Sequence, residues 1–133
     1  MIPRPLPEPG VAHILIAEDD VLVRVALAEA LRAVGFAVIE ASCADDALAY
    51  IRAGGTVDLV FSDIQMPGKV DGRELAKLIA SDHPGIPVIL TSGDTALAGN
   101  QPAVLFIPKP YSLAQTVALL LSVLNRLPPK GHS

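Results

Sequence analysis

A single cysteine, Cys43, stands in 133 residues, and tryptophan is absent. One cysteine excludes an internal disulfide and the stapled scaffolds of small secreted domains. It fits a reducing compartment, so a cytoplasmic location is expected. His13, His83 and His132 are scattered, and with no His/Cys cluster a zinc centre is not expected. Long apolar runs are missing too. The greasiest window, "VALLLSVL" (117–124), falls far short of the roughly 18–20 apolar residues that cross a bilayer, so no membrane span is expected. The opening "MIPRPLPEPG" has four prolines and no apolar core, which predicts an extended arm over 1–11 rather than a signal peptide. There is no basic stripe. Net charge is −4 and the pI is near 5.2, so nucleic acid is not an expected partner.

What is present is aliphatic: 51% of residues are hydrophobic and 18% charged. That composition and length predict one globular domain, over 12–127, followed by a tail at 128–133 beginning with Pro128-Pro129. Five short apolar runs predict strands: "HILIA" (13–17), "FAVIE" (36–40), "VDLVFS" (57–62), "IPVILTS" (86–92) and "AVLFIP" (103–108). Val23, Leu27, Ala30, Leu31 and Val34 recur at helical spacing, closed by Gly35. Ser42 and Asp45 have capping-box spacing and open a second helix that stops at Gly54-Gly55. "DGRELAKLIASDH" (71–83) predicts a third, halted by Pro84. "GDTALAGNQP", with two glycines and a proline, allows only a stunted helical stretch. Ser112 caps a long last helix. Its core face is expected at Leu113, Val117, Leu120, Leu121 and Leu124, with Ala118, Val123 and Leu127 spilling onto other faces. The spill-over suggests either a crowded core or a surface for a homodimer or other partner. Strand–helix alternation implies a parallel sheet with helices on both faces and right-handed crossovers.

Function in such a fold gathers at the carboxyl ends of the strands. Glu18, Asp19 and Asp20 end the first, Asp63 the third and Thr91-Ser92 the fourth, while Lys109-Pro110 follows the fifth. Crowded carboxylates repel, and one pKa rises unless a cation neutralises them. An oxygen-only ligand set suits Mg²⁺ or Mn²⁺. Lys109 is a point charge for a phosphoryl oxygen, and Thr91 a donor to another. Asp63, at the end of a greasy strand, reads as a cap, a turn residue, a metal ligand or a carboxylate nucleophile. Asp20 is an alternative cap for the first helix. Cys43, near a helix start, reads as a low-pKa thiol or as packing.

In order and spacing, "ILIAEDD", "DLVFSDIQMPG", "VDG", "VILTS" and "FIPKP" resemble the receiver domain of two-component response regulators. The resemblance implies a flavodoxin-like, doubly wound α/β fold whose five-stranded sheet runs 2-1-3-4-5. It makes Asp63 the phosphoacceptor, charged by a phosphohistidine on a histidine kinase or a histidine phosphotransfer protein. Asp19 would bind Mg²⁺ directly with Asp63, Glu18 through water, and Gln65 through its backbone carbonyl. Thr91 and Lys109 would contact the phosphoryl group. Phe106 would be the switch aromatic, and Lys109-Pro110 a cis bond. Such a chain catalyses its own phosphorylation and dephosphorylation without being an enzyme in the usual sense. Its new charge draws in Thr91, lets Phe106 turn inward and alters contacts with a downstream protein target.

Two departures from the pattern stand out. "GKV" between Pro67 and Asp71 is one residue longer than usual, adding Lys69 near the site. The segment between Thr91 and Lys109 is shorter, which predicts a shortened fourth helix and an altered switch surface. Three alternatives accompany the stand-alone receiver. The chain could be a receiver-fold binding module little affected by phosphate, or the receiver segment of a hybrid histidine kinase. It could also be a small Mg²⁺ phosphatase or nucleotide-binding protein, against which stands the lack of a Gly-rich loop or DxD motif after the first strand.

Overall fold

Five runs too short and too β-branched for helices lie side by side in one parallel sheet. A computed structural model of the chain describes residues 11–98 and 105–125. The strands are β1 (His13–Ala17), β2 (Ala37–Ala41), β3 (Leu59–Asp63), β4 (Val88–Ser92) and β5 (Leu105–Pro108), in the order β2-β1-β3-β4-β5. The helices are α1 (Val21–Ala33), α2 (Ala44–Arg52), α3 (Gly72–Asp82) and α4 (Leu113–Asn125). Between β4 and β5 the described residues form one 3₁₀ turn, Thr95–Ala98. The rest of the stretch expected to form a stunted helix, residues 99–102, lies outside the described residues. Residues 1–10 of the expected N-terminal arm, the start of the fifth strand at 103, and Leu127 with the C-terminal tail lie outside them too.

Side chains alternate across a strand, so each strand feeds two cores. Leu15, Val60 and Leu90 point to one side, where Leu48, Ile51, Leu75 and Ile79 of α2 and α3 cover them. Ile14, Ile16, Phe61 and Ile89 point to the other, under Leu27 and Leu31 of α1 and Leu120 and Val123 of α4. β3 and β4 are buried along their whole length. Each fully buried Leu or Ile contributes about 1.5–3 kcal/mol. The outcome is a rigid platform whose central strands end at the candidate site.

Local chemistry sets where the helices begin. Asp20 caps α1, accepting from the backbone N–H of Leu22 and Val23 at 3.0 and 3.2 Å. Asp71 caps α3 through Glu74 N–H at 2.9 Å, and Ser112 Oγ accepts from Gln115 N–H at 3.2 Å ahead of α4. The expected Ser42–Asp45 capping box does not form. Cys43 is the N-cap of α2 and makes no side-chain cap bond. Asp45 instead turns to the loop after β3, where Oδ2 accepts from Lys69 N–H at 3.1 Å. Pro87 cannot donate to a neighbouring strand, and β4 begins just after it, at Val88.

The buried face of α4 also differs from expectation. Thr116, Leu120 and Val123 are the buried positions, while Leu113, Leu119 and Leu121 stand 38%, 40% and 37% exposed. A helix apolar nearly all round carries no sharp stripe, so small rotations about its axis are indistinguishable in the sequence. Among the described residues, no helix is long and apolar enough to cross a membrane.

Candidate functional site

The sheet register brings together residues far apart in the chain. Asp63 pairs with Thr91 across β3 and β4, and Thr91 pairs with Ile107 across β4 and β5. Lys109 follows β5, its N–H donating to Ser92 carbonyl at 2.9 Å, and the Lys109–Pro110 bond is cis. The Lys109 ammonium then reaches back over the sheet edge. It donates to Asp63 Oδ2 at 2.8 Å and to Glu18 Oε1 at 2.7 Å. Glu18 is 2% exposed and Asp63 6%. A buried carboxylate needs such a partner, because desolvation disfavours its charge.

The electrostatics follow from this geometry. Burial pushes the Glu18 carboxyl above its ordinary range, and the nearby charge of Asp63 adds to that. The hydrogen bonds from Lys109 and from Asp20 N–H, the latter at 3.1 Å, pull the other way without cancelling it. Burial alone would lower the Lys109 pKa, but hydrogen bonds and charge from Asp63 and Glu18 overcome it and hold the ammonium well above the usual lysine value.

Glu18, Asp19 and Asp63 each offer a carboxylate oxygen within 4.8 Å of the others. This oxygen-only trio, with Asp19 exposed and the other two buried, fits a hard divalent cation that keeps part of its water shell. Asp20 is not in the trio; its carboxylate is engaged as the helix cap. Gln65 follows the turn, its N–H donating to Asp63 Oδ1 at 3.2 Å, with an exposed side chain.

Thr91 is fully buried, and its hydroxyl donates to Ile107 carbonyl at 2.6 Å. The hydroxyl is therefore committed to β5 and not to Asp63. Phe106 is half-buried and packs with Leu97 against the α2–α3 side of the core. Lys69 is exposed in its loop. Gly72 explains the "VDG" motif physically. Its N–H donates to Ile64 carbonyl at 2.9 Å, and a Cβ there would lie 2.2 Å from Asp63 carbonyl oxygen. Only glycine lets α3 start directly against the backbone of Asp63.

Three contributors escaped the sequence reading. Arg24 of α1 donates to the carbonyl of Glu18 at 2.9 Å and is held by Glu40 of β2 at 3.3 Å, which also pairs with Arg32 at 3.1 Å. Tyr111 packs edge-to-face on Phe61, ring centroids 5.6 Å apart. Burial, then the negative charge of Glu18, pushes its hydroxyl up to about 12. Arg73 lines a cavity of about 530 Å³ with Asp19, Gln65, Met66, Asp71 and Leu97. Each depends on partners many residues away, which the periodicity of one chain does not reveal.

Comparison with known proteins agrees with this arrangement. Residues 14–120 match the family model of the response regulator receiver domain. The sensor kinase CckA of Brucella abortus is 37% identical over 123 residues, covering 88% of this chain and 13% of the kinase. A CheY-like receiver domain protein from Methanospirillum hungatei superposes with a TM-score of 0.79 at 25% identity, covering 86% of this chain and 94% of that one. The response regulator TrrA of Thermotoga maritima, solved in complex with Mg²⁺-BeF, superposes at 0.77 with 25% identity, covering 86% and 99%. The chain spans only 13% of CckA and 23–25% of the NtrC regulators it matches. The family match covers most of the chain, the sheet order is the expected one, and an acidic trio with its lysine stands where the strands end: this chain belongs to the response regulator receiver domains of two-component signalling.

Proposed function

We propose that Asp63 accepts a phosphoryl group from a phosphohistidine on a histidine kinase or a histidine phosphotransfer protein. The observation that carries this is the Lys109 ammonium, 2.8 Å from Asp63 Oδ2 inside the three-carboxylate cluster. An Asp63 oxygen attacks phosphorus as the P–N bond breaks, and the imidazole leaves with the electron pair. Lys109 exchanges a carboxylate oxygen for a phosphoryl oxygen and so follows the charge. Asp19 and Asp63 would hold Mg²⁺ or Mn²⁺, with Glu18 and the Gln65 backbone carbonyl completing the set. The ion would neutralise phosphoryl oxygens. That TrrA, a similar receiver, was solved with Mg²⁺-BeF supports a divalent cation as ligand here.

The transfer adds charge beside Thr91. The hydroxyl leaves Ile107 carbonyl for a phosphoryl oxygen, and Phe106 turns into the space released. The surface around β5 then changes its preference for a downstream protein target, a local charge event biasing a two-state element. On this reading the chain is a self-phosphorylating switch rather than an enzyme acting on a separate substrate, and it works in the cytoplasm. A second reading is favoured by the 37% identity to CckA: the same switch as the receiver segment of a hybrid sensor kinase.

The test is to incubate the protein with Mg²⁺ and a small phosphodonor and weigh it. A base-labile phosphoryl adduct is expected in wild type and none in Asp63→Asn. An adduct that persists in Asp63→Asn, or is missing from wild type, overturns the proposal.

A further inference from the structure

The cavity beside the acid trio contains one cation that the phosphoacceptor reading leaves unused. Ile64 and Gln65, the two residues after Asp63, form part of its wall, and Asp19 of the trio forms another. Met66, Pro67 and Leu97 make its apolar side. Among its lining residues Arg73 is the only cation. The backbone holds it close to the chemistry, because Gly72, its neighbour, packs against the carbonyl of Asp63. The two lining carboxylates already have roles. Asp71 caps α3 through Oδ1, and Asp19 belongs to the trio. Arg73 meets Asp71 Oδ2 only at 3.8 Å, and its side chain is 42% exposed. A guanidinium has five N–H donors in a planar fork, so this loose pairing leaves donors for an anion.

We propose that Arg73 discriminates among phosphodonors by stabilising the charge that develops on an oxygen leaving group; this rests on Asp63 being the phosphoacceptor. With an acyl phosphate, an Asp63 oxygen bonds to phosphorus as the P–O bond to the acyl oxygen breaks. The electron pair departs on that oxygen as a carboxylate. Arg73 meets the new negative charge, and the apolar side of the cavity meets the acyl carbons. With phosphoramidate the P–N bond breaks instead, and the already protonated nitrogen departs as neutral ammonia. No anion forms, and Arg73 has nothing to stabilise. The guanidinium thus selects for acyl phosphates over P–N donors, and Lys109 serves the phosphoryl oxygens of both.

The experiment measures adduct formation by mass in wild type, Arg73→Gln and Arg73→Lys, at saturating Mg²⁺, with acetyl phosphate and with phosphoramidate. The readout is the ratio of the two rates. Arg73→Gln is expected to lower the acetyl phosphate-to-phosphoramidate ratio about tenfold, the effect of one charge-assisted hydrogen bond. Arg73→Lys is expected to recover a large part of it. An unchanged ratio in Arg73→Gln overturns the proposal, as does an equal loss with both donors, which would assign Arg73 to the phosphoryl group or to the fold. Failure of wild type to react with either donor defeats the Asp63 reading itself, and is distinct from both.

Discussion

Lys109 Nζ lies 2.7 Å from Glu18 Oε1, two residues separated by ninety-one positions in the chain. The same nitrogen is 2.8 Å from Asp63, so one ammonium holds two of the three carboxylates of the cluster. Replacing Lys109 with alanine leaves those carboxylates facing each other without a cation. Folding stability is expected to fall by about 1–3 kcal/mol at neutral pH, read as a lower urea midpoint. The freed oxygens bind Mg²⁺ more tightly, so calorimetric titration should give a lower Kd. Added Mg²⁺ should restore much of the lost stability by mass action. Weaker Mg²⁺ binding in this variant would contradict the competition.

Thr91 makes a different demand. Thr91→Val keeps the shape but removes the donor to Ile107 carbonyl, and is expected to cost about 1 kcal/mol of stability. If Asp63 is the phosphoacceptor as proposed, the same change should slow its phosphorylation, because a phosphoryl oxygen would lose a donor. Thr91→Ser keeps the hydroxyl and should retain most of the rate. Equal rates in Val and Ser variants, by mass-resolved time course, would remove Thr91 from the site.

Gly72→Ala probes the contact between α3 and β3. The new Cβ meets backbone rather than a yielding side chain, with Asp63 carbonyl oxygen 2.2 Å away. A loss of about 1–3 kcal/mol is expected from the forced backbone shift. Denaturant unfolding measures it. Phosphorylation should fall too, because Asp63 must move.

Alkaline pH gives a fourth test, with Tyr111 as reporter. Its hydroxyl titrates at about 12, above the ordinary 10.0, because burial and then Glu18 disfavour the phenolate. A pKa raised by folding means that the stability contribution is complete below 10.0 and is lost as pH rises through about 12. Lys109 shifts in the same direction from 10.5, so its contribution is also lost on the alkaline side. In a Tyr50→Phe variant, phenolate absorbance at a pH of about 11 should stay mostly that of neutral tyrosine in the folded protein and become mostly ionised in urea. Glu18→Gln should move the folded titration to lower pH.

The sheet and the acidic edge were readable because their signals are local. A run such as "VDLVFS" is apolar on both faces, and a charge at its end marks where the core stops. Asp63 and Lys109 stood out by the motifs they sit in. The rest depends on three-dimensional partners. Asp45 matched a capping box, but the loop lengthened by Lys69 offers its backbone N–H to the same carboxylate. Arg24 and Glu40 meet across sixteen positions, with no periodicity to link them. On α4, Val123 is buried while Leu113 and Leu121 are exposed, because leucines on nearly every face blur the amphipathic stripe.

Thr91 sits in register between Asp63 on one side and Ile107 on the other, and its hydroxyl carries a single proton. That proton can be given in one direction at a time. If Asp63 carries a phosphoryl group, the two answers exclude each other at one atom, and intermediate occupancy means a mixture of molecules rather than a half-turned one. A graded input would then be read out as the fraction of chains that have changed sides, a count of yes and no decided by a single O–H bond.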